Sequence, residues 1–80
     1  MKHYFFSYVR NTSRGDFTFR HSLSKGEHPL AKLIRWNERE AKQTKEDLVR
    51  YPAAAMIIFF TMLSWKEITE AEYEQFRRIE

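Results

Sequence analysis

The feature that most limits the fold of this chain is an uncharged apolar run, PAAAMIIFFTMLSW, at residues 52–65. A helix that crosses a bilayer needs about 20 apolar residues, so this run is too short to span a membrane. From Met56 onward the run is rich in β-branched and aromatic side chains, which favours a strand over residues 56–65. A buried helix is the alternative, because three alanines precede Met56 and a short apolar run does not distinguish the two by itself.

Both sets of alternating side chains in this predicted strand are apolar. The two sets are Ile57, Phe59 and Leu63 on one side, and Ile58, Phe60 and Met62 on the other. A strand that is apolar on both faces is normally covered on both faces. The sequence therefore predicts that the run lies at the centre of the core, with both of its sides packed.

The chain has 80 residues, the length of one small domain. A domain of this size buries only about 60% of its unfolded surface, so its stability is marginal without further help. The absence of cysteine excludes disulfides and thiolate zinc sites, and three histidines without a metal-binding pattern predict no metal and no cofactor. Oligomerisation is the remaining source of stability, so we expect a homodimer.

Charged residues of both signs are interspersed and give a formal net charge of +3. This mild excess permits nucleic acid as a partner without requiring it. The N-terminus runs directly into alternating aromatic residues and shows no signal peptide, and the absence of cysteine fits a reducing compartment. We therefore expect a cytoplasmic protein, and membrane association of residues 52–65 is a third and weaker hypothesis.

The N-terminal part of the chain has the pattern of a β-hairpin. Residues 3–10 (HYFFSYVR) read as a strand with aromatic side chains on both faces, and residues 17–23 (FTFRHSL) alternate between apolar and polar. Between them lie turn formers, NTSRGD, whose Arg-Gly-Asp triplet we interpret as turn residues rather than as an integrin motif. The half-polar second strand is expected at an edge of the sheet.

Two helices are predicted. Pro29 opens the first, and an apolar stripe at helical spacing follows, formed by Leu30, Leu33, Ile34, Asn37 and Ala41. We expect this helix to end at about Gln43, before a break or a short second helix; continuation is the alternative, because Leu48 extends the stripe. The C-terminal helix begins after Thr69, which forms a capping box with Glu72.

The predicted order of elements is β-β-α-β-α, which is an α+β fold. If the first strand ascends, the hairpin returns, the helix ascends and the third strand descends beside the first. A three-stranded antiparallel sheet of order 2-1-3 results, and its central first strand is the one with two apolar faces. We expect both helices to pack on one face and the other face to be open and aromatic.

No group of residues has the pattern of a catalytic site. The carboxylates fall on charged helix faces or at helix ends, and there is no glycine-rich phosphate loop and no nucleophile paired with a base. The sequence therefore predicts a non-enzymatic binding protein.

The partner surface is expected on aromatic and basic residues of the hairpin, together with the two tryptophans. The candidates are Tyr4, Phe6, Tyr8, Arg10, Arg20, Trp36 and Trp65. Tryptophan is a frequent anchor of protein interfaces, whereas aromatic rings flanked by basic groups stack on single-stranded bases. The first hypothesis is a protein–protein interaction, including the homodimer, and the alternative is single-stranded nucleic-acid binding by the hairpin face.

Two segments, YFFSY at residues 4–8 and LSWKEITEAEY at residues 63–73, resemble the ends of small uncharacterised proteins of bacteriophages and bacterial mobile elements. In those proteins an aromatic N-terminal strand pairs with a strand that leads into an acidic, tyrosine-containing helix. The resemblance covers both ends of the chain and not its middle. It implies a phage or mobile-element context, in which small proteins often bind and inhibit a host or defence component.

Overall fold

Five elements make up residues 1–79, the part of the chain that the computed structural model describes. Their bounds are β1 His3–Thr12, β2 Phe17–Lys25, α1 Pro29–Arg50, β3 Ile58–Ile68 and α2 Glu70–Ile79. The three strands form one antiparallel sheet in the order β2-β1-β3. The predicted α+β class, order of elements and sheet topology are confirmed.

β1 is the central strand and pairs along its length with both neighbours. A tight turn joins it to β2, and in this turn Gly15 has a φ of 88°, a conformation that glycine adopts without steric cost. On the other side the register between β1 and β3 shifts after Ser7, which leaves Leu63 without a partner residue in β1. This irregularity is a β-bulge, and it re-aims the side chains of β3 relative to a regular strand.

The two helices lie on opposite faces of the sheet, so the prediction that both cover one face is wrong. The ring of Trp36 in α1 lies 6.0 Å from that of Phe6, whereas Phe76 of α2 lies 5.1 Å from Phe5. Phe5 and Phe6 are consecutive in β1 and point to opposite faces. Both faces of β1 have aromatic rings at this end, so a helix packs on each face. We call the face under α1 the α1 face and the face under α2 the α2 face.

The core centres on β1 and not on the apolar run. Phe6 is fully buried and packs with Tyr8 and Leu33, and partly buried side chains surround them. The outer members are Trp36, Phe60 and Met62. The N-terminal part of the run, residues 52–57, lies outside any helix or strand, so the prediction that the run forms the centre of the core is wrong.

β3 is extended, as predicted, but it begins two residues later than expected and continues to Ile68. Its α1 face is partly covered, by contacts that involve Phe60 and Met62. On its α2 face the last residue, Ile68, is buried, whereas Phe59 and Leu63 are about half exposed. The expectation of cover on both faces is therefore wrong: β3 is an edge strand, and α2 extends over only one end of the sheet.

α1 is one continuous helix to Arg50, so the predicted break after Gln43 does not occur. The helix is also rotated relative to the predicted stripe: Leu33 is buried, while Leu30 and Ile34 are 47% and 59% exposed. Trp36 takes the inward position instead, because its ring packs against the aromatic side chains of β1 and β3.

The two helix starts follow the sequence prediction. Pro29 is in the first turn of α1, and the Nδ1 atom of His28 accepts a hydrogen bond of 3.1 Å from the Leu30 amide. At α2 the Thr69 hydroxyl accepts from the Glu72 amide, and the Glu72 carboxylate accepts from the Thr69 amide, both at 3.1 Å. The predicted capping box is confirmed. Neither described helix combines the length and apolarity needed to cross a membrane.

Candidate binding surfaces

The seven residues predicted to contact a partner do not form one surface. Tyr4, Phe6 and Tyr8 are at most 9% exposed, because α1 covers the face of the sheet on which they lie. They belong to the core and the core edge, so the prediction that they form an open stacking platform is wrong. The sequence does not indicate that α1 covers these three rings, because an aromatic strand has the same pattern whether its face is covered or open.

Four of the seven residues come together at one end of the α1 face. Three of them are on the sheet: Tyr8 is the cross-strand partner of Arg20, and Arg10 is the partner of Phe60, which is not a candidate. Directly paired residues point to the same side of a sheet, so these side chains share the α1 face. Trp36 reaches the same place from α1, with its ring 5.3 Å from that of Tyr8. The structure therefore unites Tyr8, Arg10, Arg20 and Trp36.

Tyr8 and Trp36 line a cavity of about 250 Å³ between α1 and the sheet. Its lining consists of three aromatic rings and two charged residues of α1: Tyr8, Trp36, Phe60, Arg39 and Glu40. The rings stand at steep angles to one another, between 67° and 72°, with centroids 5.3–5.7 Å apart. We call this site the aromatic cavity. Phe60, Arg39 and Glu40 were not among the predicted site residues, because only the packing of α1 against β3 brings them together.

Trp65, the last candidate, lies at the opposite end of the α1 face. Its ring is 4.3 Å from that of His28 and 5.9 Å from that of Tyr4, and the residue is 44% exposed. It therefore covers the start of α1 and is separate from the aromatic cavity.

The α2 face has a second surface, which contains none of the seven predicted residues. α2 has 10 residues and is about 15 Å long, whereas the sheet extends about 33 Å along β1. The far half of the face is uncovered, and there Phe17, Phe19 and Phe59 are 70%, 75% and 47% exposed. We call these three residues the bare patch. The alternation of β2 placed Phe17 and Phe19 on one face, but only the length and position of α2 leave them open.

Asn11 lies in the middle of the bare patch and is buried. It is the β1 partner of both Phe17 and Phe59, so its side chain stands between theirs. Its Nδ2 group donates to the Thr61 hydroxyl at 3.1 Å, with longer contacts to the Phe59 and Val9 carbonyls. The amide therefore has partners inside the protein, which leaves the phenylalanine rings as the exposed part of this surface.

Within residues 1–79 there is no group of three or more His, Asp or Glu side chains placed to hold a metal ion. One carboxyl has a shifted pKa: the bond from the Thr69 amide lowers the pKa of Glu72, and the Thr69 hydroxyl adds to this. That shift belongs to the cap of α2 and to neither candidate surface.

Comparisons with protein-family models, with curated proteins and with solved structures find no match to this chain. The resemblance of the chain ends to phage and mobile-element proteins therefore stays a prediction. The structure has two candidate binding surfaces, the aromatic cavity and the bare patch, on opposite faces of the sheet.

Proposed function

We propose that this chain is a small non-enzymatic binding protein that forms a homodimer through the bare patch and acts by protein–protein interaction. The observation that carries the proposal is the cluster of exposed phenylalanines on one half of the α2 face. With about 200 Å² for a fully exposed phenylalanine, the three rings present roughly 400 Å² of apolar surface. This lies in the range of about 300–600 Å² for the largest apolar patch on a typical monomer, and the largest patch is often functional.

The total surface of the molecule supports a second copy as the occupant. A monomer of 9.8 kDa is expected to have about 5,200 Å² of accessible surface, and this chain has 5921 Å². The excess is close to the ~800 Å² that each partner buries in a standard interface. The radius of gyration, 15.0 Å, likewise exceeds the ~12 Å expected for a compact chain of this length.

The chemistry of the patch also fits self-association. The residues of this half of the face are uncharged, namely Val9, Asn11, Phe17, Phe19, Phe59 and Thr61. Two copies that meet there place no like charges in direct contact among these residues, although each chain has a net charge of +3. A two-fold axis through the patch brings the same surface of both copies together and places one α2 on each side of the contact.

Sedimentation at micromolar concentration tests the dimer. We expect a mass of twice 9.8 kDa for the natural chain and a monomer for the double variant Phe17→Ser/Phe19→Ser. The matched control is Val49→Ser, which removes an apolar side chain that is 84% exposed outside the patch and should leave the dimer intact. A natural chain that sediments as a monomer overturns the dimer, and a dimer that persists in the double variant overturns the bare patch as its interface.

The partner beyond the second copy is part of the same proposal. The resemblance of the chain ends supports a phage or mobile-element context, with a host or defence component as the target. The alternative, single-stranded nucleic-acid binding by the hairpin, loses the stacking residues Tyr4 and Phe6, because α1 covers them, and retains the exposed rings of Phe17 and Phe19.

A further inference from the structure

The aromatic cavity has the shape and lining of a site for one planar ring system. Its volume of about 250 Å³ is just below the ~300 Å³ at which pockets begin to hold drug-sized ligands. Trp36 and Phe60 are each only partly buried, so both rings present surface to the cavity. Aromatic side chains in such an arrangement stack on flat, conjugated ligands.

One guanidinium group, that of Arg39, lines this cavity from α1. Two further arginines share the sheet face beside its rings: Arg10 is the cross-strand partner of Phe60, and Arg20 is the partner of Tyr8. Directly opposed residues on one face of a sheet have Cβ atoms about 5 Å apart, so both side chains start next to a lining ring. Within residues 1–79 none of the three guanidinium groups is within ion-pair distance of a carboxylate. They are therefore available to an anionic ligand.

The charges decide between two ligand classes that aromatic cavities take. Rings in mutually tilted positions also bind quaternary ammonium groups. Here the lining has one carboxylate, Glu40, and one guanidinium, Arg39, and Arg10 and Arg20 add positive charge on the same sheet face, so a cation would meet net repulsion. A flat ring with an amino group and an attached phosphate satisfies every group present: the ring stacks, the amino group donates to Glu40, and the arginines bind the phosphate.

We propose that the aromatic cavity binds a nucleobase that carries a phosphate, either as a free nucleotide or as one unit of a single strand. This site lies on the α1 face, and the bare patch lies on the α2 face. The proposal is therefore independent of the homodimer, and either one can fail without the other.

The direct test follows the indole N–H signal of Trp36 by ¹H–¹⁵N NMR in a Trp65→Phe background, which leaves one tryptophan as the reporter. AMP at millimolar concentration should shift this signal. Adenosine, ribose 5-phosphate and choline should each bind at least tenfold more weakly than AMP. Adenosine lacks the phosphate, ribose 5-phosphate lacks the base, and choline lacks both. Comparable binding by ribose 5-phosphate excludes base stacking, and binding by choline without AMP assigns the cavity to cations; either result overturns the proposal.

A second arm distinguishes a free nucleotide from a strand. An oligoadenylate single strand that binds tighter than AMP, with an affinity that falls with salt, identifies nucleic acid as the source. If all three arginines bind one phosphate of the strand, the slope of log affinity against log salt concentration is about −0.7, and it reaches about −2 if each arginine contacts a different phosphate. Binding of AMP with no gain for the strand identifies the free nucleotide. Absence of any shift with both ligands overturns the proposal.

Variants locate the binding on the cavity. Phe60→Leu keeps an apolar side chain and removes the ring, and it should weaken binding roughly 5- to 150-fold if the base stacks there. Arg39→Gln should weaken binding of AMP, whereas Arg78→Gln on α2 removes the same charge on the other face and should leave it unchanged. Equal losses in the two arginine variants would show attraction by the net charge alone and overturn the proposal. Circular dichroism confirms that each variant is folded.

Discussion

The side chain of Asn37 in α1 makes two hydrogen bonds to the backbone of Phe60 in β3. Its Nδ2 group donates to the Phe60 carbonyl at 3.0 Å, and its Oδ1 atom accepts from the Phe60 amide at 2.7 Å. Both backbone groups therefore point away from β1, along the outer edge of the sheet. One amide side chain thus occupies the position of a further strand, which fixes α1 against β3 and blocks the edge where it would otherwise pair with another chain.

Replacing Asn37 should destabilise the protein out of proportion to the size of the change. Asn37→Leu leaves the Phe60 amide and carbonyl without their partner in a part-buried place, which costs about 1–3 kcal/mol per unsatisfied group at most. Urea unfolding measures the loss. The matched control is Gln43→Leu on the same helix, whose amide contacts only the exposed Asp47 side chain and which should change stability by less than about 0.5 kcal/mol. Equal effects in the two variants contradict this role of Asn37.

Truncation of Phe6 should show that the core is centred on β1. Phe6 has no exposed surface, so Phe6→Ala removes a fully packed ring and should cost about 3–5 kcal/mol, enough to unfold much of a small domain. Tyr51→Ala removes a ring that is 65% exposed at the end of α1 and should cost far less. Thermal melts followed by circular dichroism compare the two. A Phe6 variant that melts with the natural chain would place the core elsewhere.

The cap of α2 should weaken in acid. The bond from the Thr69 amide lowers the pKa of Glu72, so the ionised carboxylate stabilises the folded state. This contribution is fully present above the ordinary glutamate pKa of about 4.3 and is lost as the pH falls through the lower folded value. Glu72→Gln keeps an acceptor for the Thr69 amide and does not titrate. The difference in free energy of unfolding between the natural chain and this variant should therefore be constant above about pH 5 and change below it. A difference that stays constant down to pH 3 would be evidence against a contribution from ionised Glu72.

His3 is buried, and its Nε2 atom has no hydrogen-bond partner in the part of the chain that the structure describes. Its ring packs 4.9 Å from the ring of Tyr73 in α2. His3→Phe keeps a ring at this contact and removes the unpaired nitrogen, so we expect stability to rise by up to about 1 kcal/mol. His3→Ala, which also removes the ring, should lower it. Chemical denaturation of both variants tests the pair, and a destabilised phenylalanine variant would indicate that the nitrogen has a favourable interaction.

Local patterns predicted the elements of this fold well, for identifiable reasons. Pro29 marks the start of α1 because its fixed φ suits the first helical turn, and Thr69 with Glu72 marks the start of α2 because the two side chains bond each other's amides. The hairpin followed from alternation around a turn with glycine. The candidate site could be predicted only in part: Trp36, Arg10 and Arg20 were recognised as residue types, but their meeting at one cavity was not.

The sequence by itself determined the class and order of the elements and the antiparallel topology, because capping, alternation and chain direction act between near neighbours. The tertiary structure alone decided which side of α1 faces the sheet, and it placed Leu30 and Ile34 outside and Trp36 inside. A helical stripe is compatible with several rotations, and the choice between them depends on contacts with Phe60 and Tyr8, which are far away in the chain. The same holds for α2: its short length leaves half of its face of the sheet bare, which depends on where α2 lies on the sheet and not on its own sequence pattern.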